Sequence, residues 1–111
     1  MVTFMDDFKA IYKILNTLHK AMDCSEFDPN QISADRVDLS EERWKRCMEI
    51  LVDEGFVKGV IIEKDMAGMD VEFGDVTITL AGLEYLHNNS IMKKVHNAAK
   101  GVAEIIPGVK L

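Results

Sequence analysis

Four carboxylates crowd the stretch Lys64–Asp75, at Asp65, Asp70, Glu72 and Asp75. Oxygen ligands of this kind hold divalent cations, but a calcium loop needs acids at alternating positions and a closing bidentate glutamate. The spacing here does not fit that pattern, so a solvated acidic loop is expected. His19, His87 and His96 are dispersed, each near a helix end or on a polar face, which predicts surface residues. Cys24 and Cys47 are too few and too far apart for a disulfide framework. Cys47 lies on an apolar helical face and reads as a small core residue. The chain has no glycine-rich phosphate loop, Cys-x-x-Cys, His-Glu-x-x-His or Gly-x-Ser-x-Gly. Without a nucleophile and base at working spacing, it is expected to be non-enzymatic, with no catalytic residue, metal or cofactor.

Phosphate contact is the chemistry that remains. Arg36, Arg43, Lys45, Arg46 and Lys64 are the candidate nucleic-acid contacts, four of them in or just before the segment Ser40–Asp53. Within that segment Trp44, Cys47, Met48 and Leu51 recur at i, i+3, i+4 and i+7, the apolar face of a helix. With Trp44 inward and 100° per residue, Glu42, Arg46, Glu49 and Asp53 point outward. That face carries three acids and one base, a poor match to a phosphate backbone. An arginine there could still reach a guanine edge. A solvated face with pairs such as Glu42–Arg46 is the competing reading.

The elements that position these residues follow from periodicity. Residues 3–22 predict a first helix, with Phe4, Phe8, Ile11, Tyr12, Leu15, Leu18 and Met22 as its apolar stripe and Lys9, Lys13 and Lys20 elsewhere. Pro29 closes a turn-rich connection anchored by Phe27. Residues 31–37 predict a short second helix with Ile32, Val37 and Leu39 inward, and Asp38-Leu39-Ser40 a tight turn into the next helix. Ser40 can cap that helix, Glu41 and Glu42 suit the positive end of its dipole, and Gly55 stops it. Phe56–Ile62 and Val76–Leu80 predict a hairpin, with Lys64–Asp75 as a loop too long for a two-residue turn and Gly68 and Gly74 as turning points. Val71 and Phe73, alternating with acids, suggest a third, irregular strand pass. Thr79 caps a helix over 81–87, in which Gly82 permits close packing. This order of helix, wing and closing helix is that of a winged helix.

A last helix is expected over 90–106, with Ile91, Val95, Ala98, Ala99, Val102 and Ile106 in a stripe. Ile91, Val95, Ala99, Val102 and Ile106 are the candidate oligomer interface. The stripe needs cover, and either the first helix of the same chain or a second copy in a homodimer can supply it.

With 111 residues, 48% hydrophobic and 29% charged, the chain has the size and composition of one soluble domain. No apolar run is long enough to span a membrane, so no membrane contact is expected. The acidic start lacks the basic region of a signal peptide, and a cytoplasmic location is expected. The net charge is −6 but uneven: residues 1–90 hold 9 Lys+Arg against 18 Asp+Glu, and residues 91–111 hold 4 Lys against Glu104. An acidic body repels nucleic acid at long range.

The runs Met5–Leu15, Glu41-Glu-Arg-Trp44, Leu51-Val-Asp-Glu-Gly-Phe-Val57, Ile78–Leu86 and Met92-Lys-Lys94 together make the sequence resemble the YjcQ family of small bacterial and prophage proteins. The resemblance covers nearly the whole chain. It implies a winged-helix fold and a phage-related origin, and it carries no activity or functional residues with it. The expectation is therefore one α+β winged-helix domain, with a core over 3–87 and an added C-terminal amphipathic helix. Its first expected role is a DNA-associated regulatory or accessory module contacting duplex DNA. The alternative is a protein–protein adaptor that uses the fold without DNA.

Overall fold

The computed structural model describes residues 4–89 and Lys94. Among the described residues, three α-helices and one antiparallel hairpin make an α+β arrangement compatible with a winged helix. Helix α1 spans Phe4–Lys20 and continues into a 3₁₀ turn over Ala21–Asp23. Ala10, Ile11, Tyr12, Ile14, Leu15 and Leu18 are its buried residues, while Phe8 is 45% exposed and Met22 is exposed as well. The buried face is thus centred on Ile14, and the expected stripe ran one flank too far toward Phe8 and Met22. Acids in the first turn, Asp6 and Asp7, and His19 and Lys20 in the last agree with the helix dipole.

The expected short helix over 31–37 is replaced by a 3₁₀ turn, Pro29–Ile32, and a run of hydrogen-bonded turns. Asp28 caps the turn by accepting from the Asn30 N–H at 3.0 Å. Ser33 then turns extended, at φ −72° and ψ 168°, and ends the helical path. Beyond it the Arg36 and Val37 N–H groups both donate to the Ser33 carbonyl. Asp38 sits at φ 61°, a left-handed position that aspartate tolerates better than most residues. Ile32, Val37 and Leu39 are nevertheless buried, as their apolar character requires.

Helix α2, Glu41–Asp53, starts at Ser40, whose Oγ accepts from the Arg43 N–H. Trp44, Cys47, Met48 and Leu51 are buried, in agreement with the spacing. Gly55, at φ 75°, provides the left-handed residue past its end.

Strands β1, Val57–Asp65, and β2, Gly68–Ile78, pair directly, with Asp65 opposite Gly68. The connection is Met66-Ala67, so the expected long loop is in fact strand. Asp65 Oδ1 accepts from the Ala67 and Gly68 N–H groups at 2.9 and 3.1 Å, and this side-chain turn closes the hairpin. Val71 and Phe73 lie opposite Ile62 and Val60 within one continuous β2. The register shifts once, between Lys58 and Val60, around Gly59 at φ 84°.

Helix α3, Leu80–Asn88, begins at Thr79, whose Oγ1 accepts from the Gly82 N–H. Gly82 is buried, and a Cβ there would lie 2.4 Å from the Phe56 carbonyl oxygen. One core joins α1, α2, the turn residues and the base of the hairpin. None of the described helices is long and apolar enough to cross a membrane.

Cys47 is buried in that core and burial pushes its thiol up, whereas Cys24 is exposed. A thiol titration with Ellman's reagent is expected to count one reactive cysteine in the folded chain and two in denaturant. Two fast thiols without denaturant would show that the core at Cys47 opens readily.

Candidate nucleic-acid interface

Trp44 sets the rotation of α2. Its indole N–H donates to the Ile32 carbonyl at 2.8 Å, and its ring meets Phe73 edge-on, with centroids 6.0 Å apart at 62°. The side of α2 opposite this anchor exposes Glu42, Arg46 and Asp53, as the helical wheel predicts, while Glu49, also expected outward, is half-buried against Lys64 of the hairpin. Ile50 is also 48% exposed there. No local signal in the sequence marked Ile50, because it lies between the two faces of the wheel.

Arg43 does not project freely. Its Nε donates to Asp7 Oδ1 at 2.6 Å and its Nη2 to Asp7 Oδ2 at 2.8 Å, a two-pronged bridge from α2 to the start of α1. The hydrogen-bonded Asp7 carboxylate holds the Arg43 guanidinium above its ordinary value, so it stays charged but occupied. Lys64 pairs with Glu49, tying β1 of the hairpin to α2. Arg36 is exposed in the turn before α2, and its backbone carbonyl accepts from Lys13 Nζ at 2.6 Å. Lys45 is half-buried on the flank. Two of the five candidate contacts are thus engaged by carboxylates of the same chain. The pairings of Arg43 with Asp7 and of Lys64 with Glu49 carry no signal in the sequence, because only tertiary contact joins residues as far apart as the 36 positions between Asp7 and Arg43.

An open cleft of about 480 Å³ lies between α1 and α2. Ile11, Cys47 and Ile50 give it apolar walls, while Arg43 and Arg46 face Asp7 and Glu42 around it. Arg43 and Arg46 are therefore brought together, but in a charge-balanced setting, and Arg36, Lys45 and Lys64 do not line this cleft. A second open cleft, of about 350 Å³, lies between α1 and α3. It brings together His19 and His87, which look dispersed along the chain, beside Tyr12, Asn16, Leu83 and Leu86. Among the described residues no group of three or more His, Cys, Asp or Glu side chains could hold a metal. The candidate oligomer interface, Ile91, Val95, Ala99, Val102 and Ile106, lies outside the described residues.

Chemically, the solvent side of α2 offers one exposed arginine among acids, an exposed isoleucine and a shallow mixed cleft. A family model described as YjcQ protein matches residues 12–105. No curated protein and no solved structure matches the chain.

Proposed function

The chain belongs to the YjcQ family, and from the charges at its candidate interface we infer that it is a non-enzymatic winged-helix adaptor that binds another protein rather than reading duplex DNA. The observation that carries this reading is the occupancy of its cations. Affinity for duplex DNA comes chiefly from lysines and arginines that neutralise phosphates, roughly one released counterion per contact. Here Arg43 is held by Asp7 and Lys64 by Glu49. Arg46 stands on a helix face beside exposed Glu42 and Asp53. Presenting that face to a major groove would bring carboxylates up to phosphates in a chain already carrying −6. The apolar wall of the α1–α2 cleft, with Ile50 at its exposed edge, suits a protein partner better.

The second reading, a DNA-associated regulatory or accessory module, is favoured by Arg36 and Arg46, which remain exposed before and on α2. The fold supplies it only with an analogy. Anisotropy of a labelled duplex separates the two. The adaptor reading expects no rise at about 50 mM salt, where electrostatic binding is strongest, and none at about 200 mM. A rise that falls steeply with salt and disappears in the Arg43→Ala, Arg46→Ala double variant would sink the adaptor reading. Light scattering tests the homodimer separately, and a monomer would remove it.

A further inference from the structure

We propose that the outer face of the β1–β2 hairpin is a docking surface for an extended, lysine- or arginine-rich segment of another protein. The proposal rests on the adaptor reading and gives it a surface and a partner chemistry. Strand alternation sorts the hairpin into two faces. Val60, Ile62, Val71 and Phe73 are half-buried and pack against the core. Ile61 opposite Glu72, Glu63 opposite Asp70, and Asp65 opposite Gly68 form the other face. Lys64 pairs in register with Met69 on the core side and is bound to Glu49 of α2. The one cation of residues 60–73 is thereby drawn away from the acids.

Beyond the Gly59 register shift the outer face is left with Glu63, Asp65, Asp70 and Glu72 beside Ile61, which is 48% exposed. Lys58, also exposed, stands on β1 before that shift, at the base of the hairpin. Glu63 and Asp70 stand directly across the ladder, a like-charge pair that weakens a hairpin on its own. In addition, among the described residues each strand pairs only with the other. Each therefore keeps a row of backbone N–H and C=O groups without a ladder partner. A segment that adds as a third strand satisfies one such row, and its basic side chains meet the acidic face. A second copy of this chain would bring the same acids onto the same acids, and duplex DNA would be repelled by them.

The test uses the full chain and a fluorescein-labelled peptide of about ten residues alternating lysine and valine, long enough to pair along a strand. The Glu63→Gln, Asp70→Asn, Glu72→Gln triple variant is compared with Glu41→Gln, Glu54→Gln, Glu84→Gln, which removes equal charge from α2, the residue that ends it and α3. At about 150 mM salt the hairpin variant is expected to lose ~10-fold in affinity and the helix variant less than ~2-fold, because distant exposed charges are screened. A proline in the middle of the peptide should weaken binding to the parent chain, since it removes a ladder donor. Without peptide, the hairpin variant should melt a few degrees higher, as the Glu63–Asp70 repulsion is gone.

Absence of peptide binding, equal losses in the two variants, or a lower melting temperature of the hairpin variant would each overturn the proposal. A dimer that the hairpin substitutions dissolve would make a second copy the occupant and overturn it too. If both peptide and duplex DNA fail to bind, the hairpin surface is refuted while the adaptor reading stands. Salt-sensitive DNA binding refutes the adaptor reading whatever the peptide does.

Discussion

Trp44→Ala is expected to destabilise the chain by about 3–5 kcal/mol, the range for truncating a buried aromatic. Small domains hold roughly 5–15 kcal/mol in total, so the variant gives up a large share of its stability and should unfold at a much lower urea concentration than the parent. Trp44 is 6% exposed and touches both the 29–39 turns, at the Ile32 carbonyl, and the hairpin, at Phe73. Removing it leaves a cavity between α2 and Phe73 and strips the Ile32 carbonyl of its indole donor. Trp44→Phe keeps most of the apolar contact and loses the hydrogen bond, so it should cost less, about 1–3 kcal/mol for the orphaned acceptor. Urea unfolding followed by far-ultraviolet circular dichroism measures both without using the tryptophan as reporter. An alanine variant within about 1 kcal/mol of the parent, inside the range of surface changes, would mean that Trp44 does not hold α2.

Gly59→Ala should be the next most damaging single change, at about 2–4 kcal/mol, combining left-handed strain with overpacking. At φ 84°, an added Cβ would sit 2.1 Å from the Asp75 carbonyl oxygen and 2.9 Å from the Val76 Cα. Those are backbone atoms, so relief requires β2 to move and the register beyond Lys58 to slip. Gly55→Ala is the control. Its φ is 75°, but nothing lies within 4 Å of the new Cβ. It should show only the conformational term, roughly 1–2 kcal/mol. Urea midpoints give the difference, and hydrogen exchange at Phe73 and Val71 reports whether the ladder has slipped. Equal costs at the two glycines would show that the strand approach at Gly59 is not tight.

The functional surface was legible only in part, and the reasons differ from residue to residue. The acidic character of the α2 face could be read because Glu42, Arg46 and Asp53 follow from one helical period and one anchor. The occupancy of Arg43 and Lys64 could not. Their partners, Asp7 and Glu49, come from other elements, and Asp7 already has a local explanation at the positive end of α1. The stretch Lys64–Asp75 reads as a solvated loop because it is rich in acids and glycine. Asp65 instead folds its carboxylate over the Ala67 and Gly68 amides and lets the strands run to their ends.

By itself the sequence determined what short-range forces decide. These include the α2 cap at Ser40, the buried face of Trp44, Cys47, Met48 and Leu51, the left-handed stop at Gly55 and the Thr79 cap. Each depends on a period, a dihedral preference or a hydrogen bond spanning a few residues. Tertiary structure decided which charges remain free, which acids share the outer face of the hairpin, and that the 31–37 segment turns rather than coils into a helix. Those outcomes depend on distances between residues far apart in the chain, where Coulomb attraction and burial act only after the core has closed.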